Sequence, residues 1–424
     1  DAIASAFQSA GQRCSACRVV CVQEDVADRF NEMLAGAMAE LSVGDPALLG
    51  TDVGPVIDKE AKDVIDRHVA EMEKSATLIA RAPEVQSGLN GTFVRPVAFE
   101  LAQLSDLKRE IFGPVLHVVR YGADELDTLV DEINALGYGL TLGVHTRIDE
   151  TMHRIVSRAR IGNIYVNRNQ IGAVVGVQPF GGEGLSGTGP KAGGPEYLQA
   201  LVKAPRGTGA EIEIIDGPLN AEEGTALDLA ARAFENWSVA PDRTALLQIA
   251  ASAAQGAARD ALEKAAALCA RHFAEAETLP GPTGESNTLR LKAKGIVLCL
   301  GDGDDLKESL SAALAAGNAV LAPKGLADEI GGALAKAGQK HVVQGLSRLG
   351  EALPGALAVE ARIRALAVGG LGTAALSRRL AARKGPIAAV IPAGAAPWRY
   401  ASERTLTINT TAAGGDVRLL SLAE

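Results

Sequence analysis

Aromatic residues, basic runs and long apolar runs are all scarce in this sequence. Aromatics make up 4% of its 424 residues, while alanine and glycine are abundant, which favours closely packed helices in an α/β fold over an aromatic-rich β-sandwich. Acidic residues outnumber basic ones by 51 to 42, which argues against a nucleic-acid partner because such partners require clustered Lys and Arg. The longest apolar runs are broken by proline and fall short of the ~18–20 residues of a membrane helix.

Cysteine is scarce as well. The five cysteines are an odd number without a secretory signal, which indicates free thiols in a reducing compartment. An initial methionine is also missing, so we expect an excerpt or a cleaved product of a longer polypeptide. The length suffices for roughly two or three domains of about 150 residues each.

Strand and helix patterns alternate in the first half of the sequence. RVVCVQ at 18–23 has the β-branched content of a buried strand, and helical spacing follows it. That spacing predicts an amphipathic helix with a buried stripe of Val26, Phe30, Met33, Ala37 and Leu41. Further strands are predicted at 114–121 and 162–167, and helices at 124–136 and 149–160. The alternation predicts an α/β domain with a mainly parallel sheet.

A second alternating series begins after KAPRGTG, residues 203–209, and an alanine-rich helical stretch. Its predicted strands are 295–300, 318–324, 341–345, 363–369 and 386–392, and its predicted helices are 305–316, 328–338 and 374–384. This series is typical of a doubly wound, Rossmann-like unit. The final segment, 404–422, contains a Gly-Gly turn and is predicted to be a β-hairpin or flap.

Three of the cysteines, Cys14, Cys17 and Cys21, follow Gly-Gln-Arg closely. Their C-x2-C-x3-C spacing offers three thiolates for a metal but lacks the second ligand pair of a structural zinc site. A redox C-x-x-C pair would open a helix after a strand, whereas this pair precedes the strand. In the third interpretation Cys14 is a lone nucleophile, aided by the backbone of Gly11 and the charge of Arg13. From these residues alone the choice stays open.

Ordered motifs carry a resemblance to a known superfamily. FQSAGQRCSA at 7–16 resembles the active-site signature of the aldehyde dehydrogenase superfamily, in which the Cys after Gly-Gln-x is the nucleophile. The family's later motifs follow in order: VGDPALLGTDVGPVI (43–57), EIFGPV (110–115), GNIYVNR (162–168) and PFGGEGLSGTG (179–189). The resemblance implies that Cys14 is the nucleophile and that Cys17 and Cys21 are small packing residues.

Three segments indicate one family within the superfamily: the residues around Cys14, residues 167–198, and GPTGESNTLR at 281–290. These segments look like the dehydrogenase half of the proline utilization A family of bifunctional flavoenzymes. That half oxidises L-glutamate γ-semialdehyde, the hydrolysed form of pyrroline-5-carboxylate, to glutamate with NAD. The residues that match the family's substrate-binding set are Arg13, Ser15, Gly172, Ala173 and Phe180. Ser15 and the backbone amides of the two loop residues would anchor the carboxylate, and the Phe180 ring would pack on the aliphatic stem.

The resemblance also implies a mechanism and its cofactors. Cys14 would attack the aldehyde to give a thiohemiacetal, hydride would pass to NAD, and water would hydrolyse the resulting thioester. Glu110 matches the family's ligand of the nicotinamide ribose and Phe112 the ring beside the nicotinamide; outside its motif, Glu110 would be interpreted as an ordinary surface carboxylate. The family's general base, oxyanion Asn and main NAD-binding units are expected before Asp1. FAD is expected only in the family's proline dehydrogenase domain, and no metal site is expected.

The second series contains a near match to a dinucleotide fingerprint, Gly301-x-Gly303-x-x-Leu306. Leu306 replaces the third glycine, and three carboxylates lie where a pyrophosphate would approach the helix N-terminus, those of Asp302, Asp304 and Asp305. Aspartate there is expected to cap the helix instead. Pro323 also stands in place of the superfamily's ribose-binding lysine, with Lys324 after it. We therefore predict a degenerate nucleotide domain that no longer binds NAD.

Together these patterns predict three domains: a partial catalytic domain at 1–205, a degenerate Rossmann-like domain at 206–385 and a C-terminal β-flap or tunnel lid at 386–424. The expected partners are the semialdehyde, the rest of the longer polypeptide and further copies in a homo-oligomer. The expected location is the bacterial cytoplasm, with peripheral membrane association through the flavin domain. Two alternatives stay open: a stand-alone aldehyde dehydrogenase of other specificity, and a non-catalytic structural or interaction module for 206–424.

Overall fold

The computed structural model describes residues 1–86, 88–202, 211–350 and 352–411. Its contacts form two compact units: the first comprises Asp1–Val174, Pro282–Ser286 and the chain from Leu406, and the second comprises Val175–Gly281 and Asn287–Thr405. The division into domains at 205 and 385 stays a prediction. The predicted linker at 203–209 and the Gly-Gly turn of the predicted hairpin lie outside the described residues.

The first unit contains the predicted alternation of strands and helices. Its helices are α1 Ala2–Phe7, α2 Glu24–Ala39, α3 Lys59–Ser75, α4 Leu126–Ala135 and α5 Asp149–Arg158. Its strands are β1 Val19–Gln23, β2 Thr77–Arg81, β3 Val97–Leu101, β4 Val115–Tyr121, β5 Tyr138–Gly139, β6 Thr141–Val144 and β7 Asn163–Val166. One sheet has the order β1–β4–β3–β2, parallel except for the antiparallel β2–β3 pair. The mainly parallel α/β architecture is therefore confirmed.

Helix α2 buries a different face from the predicted one. Of the predicted stripe, Val26 and Met33 are 55% and 66% exposed, and Ala37 is exposed too, so the prediction is wrong at these positions. The buried residues are instead Ala27, Leu34 and Met38, while Phe30 and Leu41 pack partly against the core. The two stripes are neighbours on the helix surface, and helical periodicity alone does not determine which of them faces the sheet.

The second unit contains the longer series of helices. They are α6 Tyr197–Ala200, α7 Ala221–Trp237, α8 Arg243–Ser252, α9 Gly256–His272, α10 Gly303–Ala315, α11 Leu326–Lys336, α12 Gly355–Ala358 and α13 Ala374–Ala381. The remaining strands are β8 Glu183–Gly184, β9 Ile214–Ile215, β10 Glu277–Leu279, β11 Glu285–Ala293, β12 Ile296–Leu300, β13 Ala319–Pro323, β14 Val343–Leu346, β15 Leu353–Pro354, β16 Ile363–Val368, β17 Ala389–Pro392 and β18 Ala401–Asn409.

A sheet of order β14–β13–β12–β16–β17 is the centre of the second unit, and its neighbouring strands pair in parallel. Strand β12 is buried on both faces: Val297 and Cys299 pack in one apolar cluster and Leu298 in another. Burial on both faces is typical of a parallel sheet that helices cover on either side. This order and burial confirm the predicted doubly wound unit.

Small residues let the helices of this unit approach closely, as the composition predicted. The Ser311 hydroxyl on α10 donates to the Ala261 carbonyl of α9 at 3.0 Å. Asn318, fully buried, donates to the Ala313 and Tyr400 carbonyls and accepts from two backbone amides at the start of β12. Within the described residues, no helix is long and apolar enough to cross a membrane.

Candidate active site

The segment before Cys14 has an unusual backbone. After α1, Ser9, Ala10 and Gly11 adopt φ values of 55°, 54° and 63°, a left-handed conformation that favours glycine. A Cβ on Gly11 would lie 2.3 Å from the carbonyl oxygen of Gly113, so only glycine fits there. This close approach places the GQRC motif against the EIFGPV motif.

Cys14 lies on a turn. The Ala16 amide donates to the Arg13 carbonyl at 3.0 Å, and Cys14 is exposed between them while Cys17 is buried. Burial raises the pKa of Cys17 to about 11 and that of Cys21 to about 12, which keeps both as thiols at neutral pH. The described residues contain no group of three His, Cys, Asp or Glu side chains that could hold a metal ion.

Gln12 joins three of the sequence motifs. Its side-chain amide donates to the Phe112 carbonyl at 3.3 Å and accepts from the Ile57 amide at 2.8 Å. The signature therefore uses Gln12 to hold the segments around 57 and 112 beside the Cys14 turn. Sequence reasoning identified the motif but gave this side chain no role.

Arg18 is a second residue of the candidate site that sequence reasoning missed. It donates to the Gly11 carbonyl at 2.5 Å and to the Arg13 carbonyl at 3.0 Å, so it holds both ends of the segment that leads to Cys14. It also forms an ion pair with Glu110 at 3.0 Å and lies 4.7 Å from the ring centroid of Phe112. The sequence signal was a single arginine directly before the apolar run that forms β1, which is half-buried in the structure.

Two buried histidines fix the backbone at Arg18. His117 is fully buried on β4, and its Nδ1 lies 2.9 Å from the Arg18 carbonyl oxygen. Its Nε2 lies 2.9 Å from the Nε2 of His68. Burial lowers the pKa of His117 to about 4 and also lowers that of His68. Both rings are therefore neutral at pH 7, with Nδ1–H of His117 donating to Arg18.

The loop at 169–173 is tied to the Cys14 turn through Gln170. The Gln170 side chain donates to the Ser15 carbonyl at 3.1 Å. Ser15 is buried, and its hydroxyl has no hydrogen-bond partner in the described part of the chain. Gly172 has φ 78° with open space around its Cα, and Ala173 beside it is half-buried. Ser15, Gly172 and Ala173 thus belong to two linked segments.

The other predicted site residues are distributed as follows. Arg13 is exposed and donates to the Ser9 hydroxyl at 3.0 Å. Glu110 has a side chain that is 41% exposed, and Phe112 is 42% exposed. An accessible carboxylate beside an accessible ring fits a group with sugar hydroxyls and a planar base. Phe180 belongs to the second unit and is half-buried.

One aspartate of the fingerprint in the second unit, and the lysine that follows Pro323, form ion pairs with nearby residues. Asp304 forms an ion pair with Lys307 at 2.7 Å, and Lys324 forms one with Glu222 at 2.9 Å. A Cβ on Gly369 would lie 2.7 Å from the Cβ of Asp305, so this aspartate lies against the loop after β16. Asp302 is the N-cap of α10, but its side chain accepts no capping hydrogen bond. The predicted capping by that side chain is therefore wrong.

Comparison with known proteins finds similarity to one family over the first half of the chain. The profile of the aldehyde dehydrogenase family matches residues 1–205. The bifunctional protein PutA of Escherichia coli (strain K12) is 41% identical over 449 aligned residues, covering 100% of this chain and 32% of that protein. A 1-pyrroline-5-carboxylate dehydrogenase of Bacillus cereus (strain B4264) is 38% identical over 204 residues, covering 48% of this chain and 39% of that protein.

A solved structure shares the fold over nearly the whole chain. Proline utilization A from Corynebacterium freiburgense has a TM-score of 0.63 at 22% identity, covering 96% of this chain and 37% of that one. This likeness supports the fold alone. The chain spans about a quarter to two-fifths of the length of the curated relatives it matches, namely 24%, 32% and 39% for three of them.

Proposed function

We propose, from the match of residues 1–205 to the aldehyde dehydrogenase family, that the protein oxidises L-glutamate γ-semialdehyde to L-glutamate with NAD, within a bifunctional proline-catabolic polypeptide. The observation that carries the proposal is the contrast among the three clustered cysteines. Cys14 is exposed on its turn beside the Arg18 that binds Glu110, whereas Cys17 and Cys21 are held as thiols. The names of the relatives support the choice of substrate.

The chemistry begins at Cys14. Its sulfur adds to the aldehyde carbon to give a thiohemiacetal, whose oxyanion accepts a hydrogen bond from the Cys14 amide. When bound, NAD supplies the acceptor for the hydride that leaves this carbon. Glu110 would accept hydrogen bonds from the nicotinamide ribose, and the exposed Phe112 ring would pack beside the nicotinamide. Water then releases glutamate from the Cys14 thioester with the help of a general base.

The charged end of the substrate is proposed to bind at the two linked segments. The unpartnered Ser15 hydroxyl and the amides of Gly172 and Ala173 would donate to the carboxylate, an arrangement suited to anions. Arg13 adds positive charge nearby, and Phe180 would pack on the aliphatic stem. Each donor would make a charge-assisted hydrogen bond, which is stronger than a neutral one.

Two measurements on the full-length polypeptide test this function. Turnover of the semialdehyde should exceed that of an uncharged aldehyde of equal length by at least about 10- to 100-fold in kcat/KM, which is the loss of a single charge-assisted bond of roughly 1.5–3 kcal/mol. Iodoacetamide should label Cys14 first and abolish turnover as it does so. Equal turnover of the two aldehydes would favour the stand-alone enzyme of other specificity, and first labelling of Cys17 would contradict the nucleophile.

For residues 206–424 we propose a non-catalytic role: support and closure of a tunnel between the dehydrogenase and a flavin-dependent proline dehydrogenase site elsewhere in the polypeptide. The ion pairs of Asp304 and Lys324 support this proposal. Deletion of the residues after Thr411 should leave the isolated dehydrogenase step within about twofold and slow the coupled proline-to-glutamate reaction. Unchanged coupling would rule out a lid in the deleted segment.

A further inference from the structure

The segment that carries Phe180 is folded on itself by a buried lysine. Phe180 and Ala192 exchange two backbone hydrogen bonds, of 2.9 and 2.8 Å. Lys191, 2% exposed, extends along Gly181, where a Cβ would lie 3.3 Å from its Cγ. Its ammonium donates to the Gly181 carbonyl at 2.5 Å. The carbonyl directly after Phe180 is thus held by the side chain of Lys191. We call residues 179–192 the aromatic segment.

Three consecutive residues of β18 bind the aromatic segment. Glu403 accepts from the Lys191 amide at 2.6 Å, Arg404 forms an ion pair with Glu183 at 2.7 Å, and the Thr405 hydroxyl donates to the Pro179 carbonyl at 3.4 Å. Both members of the ion pair are largely buried, and so are Glu403 and Thr405. The aromatic segment is therefore fastened at its start, its middle and its end.

Burial of these charges is costly, and it is only partly compensated. Burial lowers the pKa of Lys191 to about 7, against the opposing charges of Glu403 and Glu183. Burial raises the pKa of Glu403, with Lys191 opposing it. The second carboxylate oxygen of Glu403 has no hydrogen-bond partner among the described residues. Replacement of buried charges by apolar residues of similar volume is often neutral or stabilising, so a gain in stability does not explain why Lys191 and Glu403 are buried.

We propose that Lys191 and Glu403 are positioning residues that fix the ring of Phe180 and thereby set the aldehyde specificity. The proposal rests on the proposed function in that it takes Phe180 as the wall against the substrate's aliphatic stem. Loss of the Lys191 ammonium frees the Gly181 carbonyl and lets the ring leave its position. The stem then loses its wall, while addition of the Cys14 sulfur to the carbonyl carbon is unaffected. KM for the semialdehyde should rise more than kcat falls.

The test compares four variants of the full-length polypeptide. Lys191→Met keeps the aliphatic stem beside Gly181 and removes the ammonium. Lys191→Met/Glu403→Gln also removes the carboxylate that the first change would leave unpaired, and so it covers the case in which the single variant fails to fold. Lys191→Arg restores a donor to the Gly181 carbonyl. The matched control is Lys324→Met, which removes a half-exposed lysine paired with Glu222.

Two measurements give the outcome. In Lys191→Met, amide hydrogen exchange of residues 179–192 should accelerate at least about tenfold relative to the amides of β1, residues 19–23. The reason is the loss of the hydrogen bond from Lys191 to the Gly181 carbonyl, which stabilises the segment locally. KM for the semialdehyde should rise roughly 5- to 20-fold with kcat within about threefold, and KM for acetaldehyde, too short to reach the wall, should stay within about twofold. Lys191→Arg should return exchange and KM to within about threefold of wild type, and Lys324→Met should match wild type.

The two proposals fail in different ways. If folded Lys191 variants show unchanged exchange, or lose semialdehyde and acetaldehyde turnover equally, the positioning role is wrong while the proposed function stands. If the wild-type polypeptide does not oxidise the semialdehyde, the proposed function is wrong. Faster exchange would in that case still show that Lys191 holds the aromatic segment, and the KM comparison would then be made with the longest aldehyde that is oxidised.

Discussion

Two mainly parallel sheets of the described chain differ in the exposure of the reactive side chains beside them. Beside β1–β4–β3–β2, Cys14 is exposed and Glu110 is 41% exposed although it pairs with Arg18. Beside β14–β13–β12–β16–β17, Cys299 is fully buried and burial raises its pKa, while Asp304 is paired with Lys307. Reactive side chains are therefore accessible to solvent in the first region, and they are buried or ion-paired in the second. The fold is of the same kind in both, so the exposure and the ion pairs of the side chains decide their reactivity.

The largest expected effect separates the cysteines of the two regions. Cys14→Ala should lower kcat for aldehyde oxidation by more than about 10³-fold, because the covalent intermediate is lost. Cys299→Ala should keep kcat within about threefold and cost roughly 1 kcal/mol of stability through the cavity it leaves. Formation of NADH under saturating substrate measures both. Retention of a tenth of wild-type turnover by Cys14→Ala would contradict the assignment.

The next effect is acid destabilisation of the first region. His117 has a pKa of about 4 when folded, against an ordinary value near 6.5. Between these values the unfolded chain binds a proton that the folded chain excludes, so the contribution of His117 is fully present above about pH 6.5 and is lost as pH falls towards about 4. The free energy of unfolding should then drop by about 3 kcal/mol.

Urea unfolding at a series of pH values measures this drop. His117→Gln should flatten the profile, whereas His153→Gln, at an exposed position on α5, should leave it unchanged. A profile that stays as steep in His117→Gln would show that other groups carry the acid sensitivity.

Sequence patterns predicted all five strands of the β14–β13–β12–β16–β17 sheet but missed β2 and β3 of the first sheet, and they did not identify long-range partners. Short apolar runs such as β12 are recognisable because a parallel strand is buried on both faces. The rotation of α2 was wrong because two neighbouring stripes satisfy the same period. Arg18, Gln12 and Lys191 were missed because their partners are distant in sequence, as Glu110 is from Arg18. Only the family resemblance identified Cys14 as the nucleophile. The spacing of the three cysteines by itself left the metal and redox interpretations open.

A smaller effect separates two arginines with similar contacts. Arg18 binds two carbonyls and lies over Phe112; Arg243 binds the Ala315 and Trp237 carbonyls and lies over the Trp237 ring. Arg18→Met should lower kcat/KM by roughly 10- to 100-fold, with a raised KM for NAD because Glu110 loses its partner. Arg243→Met should cost about 2 kcal/mol of stability and leave kcat/KM within about twofold.

Steady-state kinetics at varied NAD concentrations, together with urea unfolding, distinguish these two roles. Arg18→Lys should restore little, because Arg18 reaches the two carbonyls and the carboxylate from three separate nitrogens, and a single ammonium nitrogen does not reproduce that planar spread. If both arginine variants lose stability alike and neither changes the KM for NAD, Arg18 is a structural residue and the contrast between the regions is weaker.

The smallest expected effect concerns NAD itself. Asp305 lies against Gly369, and Leu306 fills the place of the third fingerprint glycine. If the second unit retained a nucleotide site, Asp305→Asn would strengthen it, because one repelling carboxylate would leave the N-terminus of α10. We expect instead that the NAD stoichiometry of the full-length polypeptide, measured by equilibrium dialysis, is unchanged. Glu110→Gln should weaken NAD binding by about tenfold. An added equivalent of NAD in Asp305→Asn would show that the aspartates alone keep a working site closed.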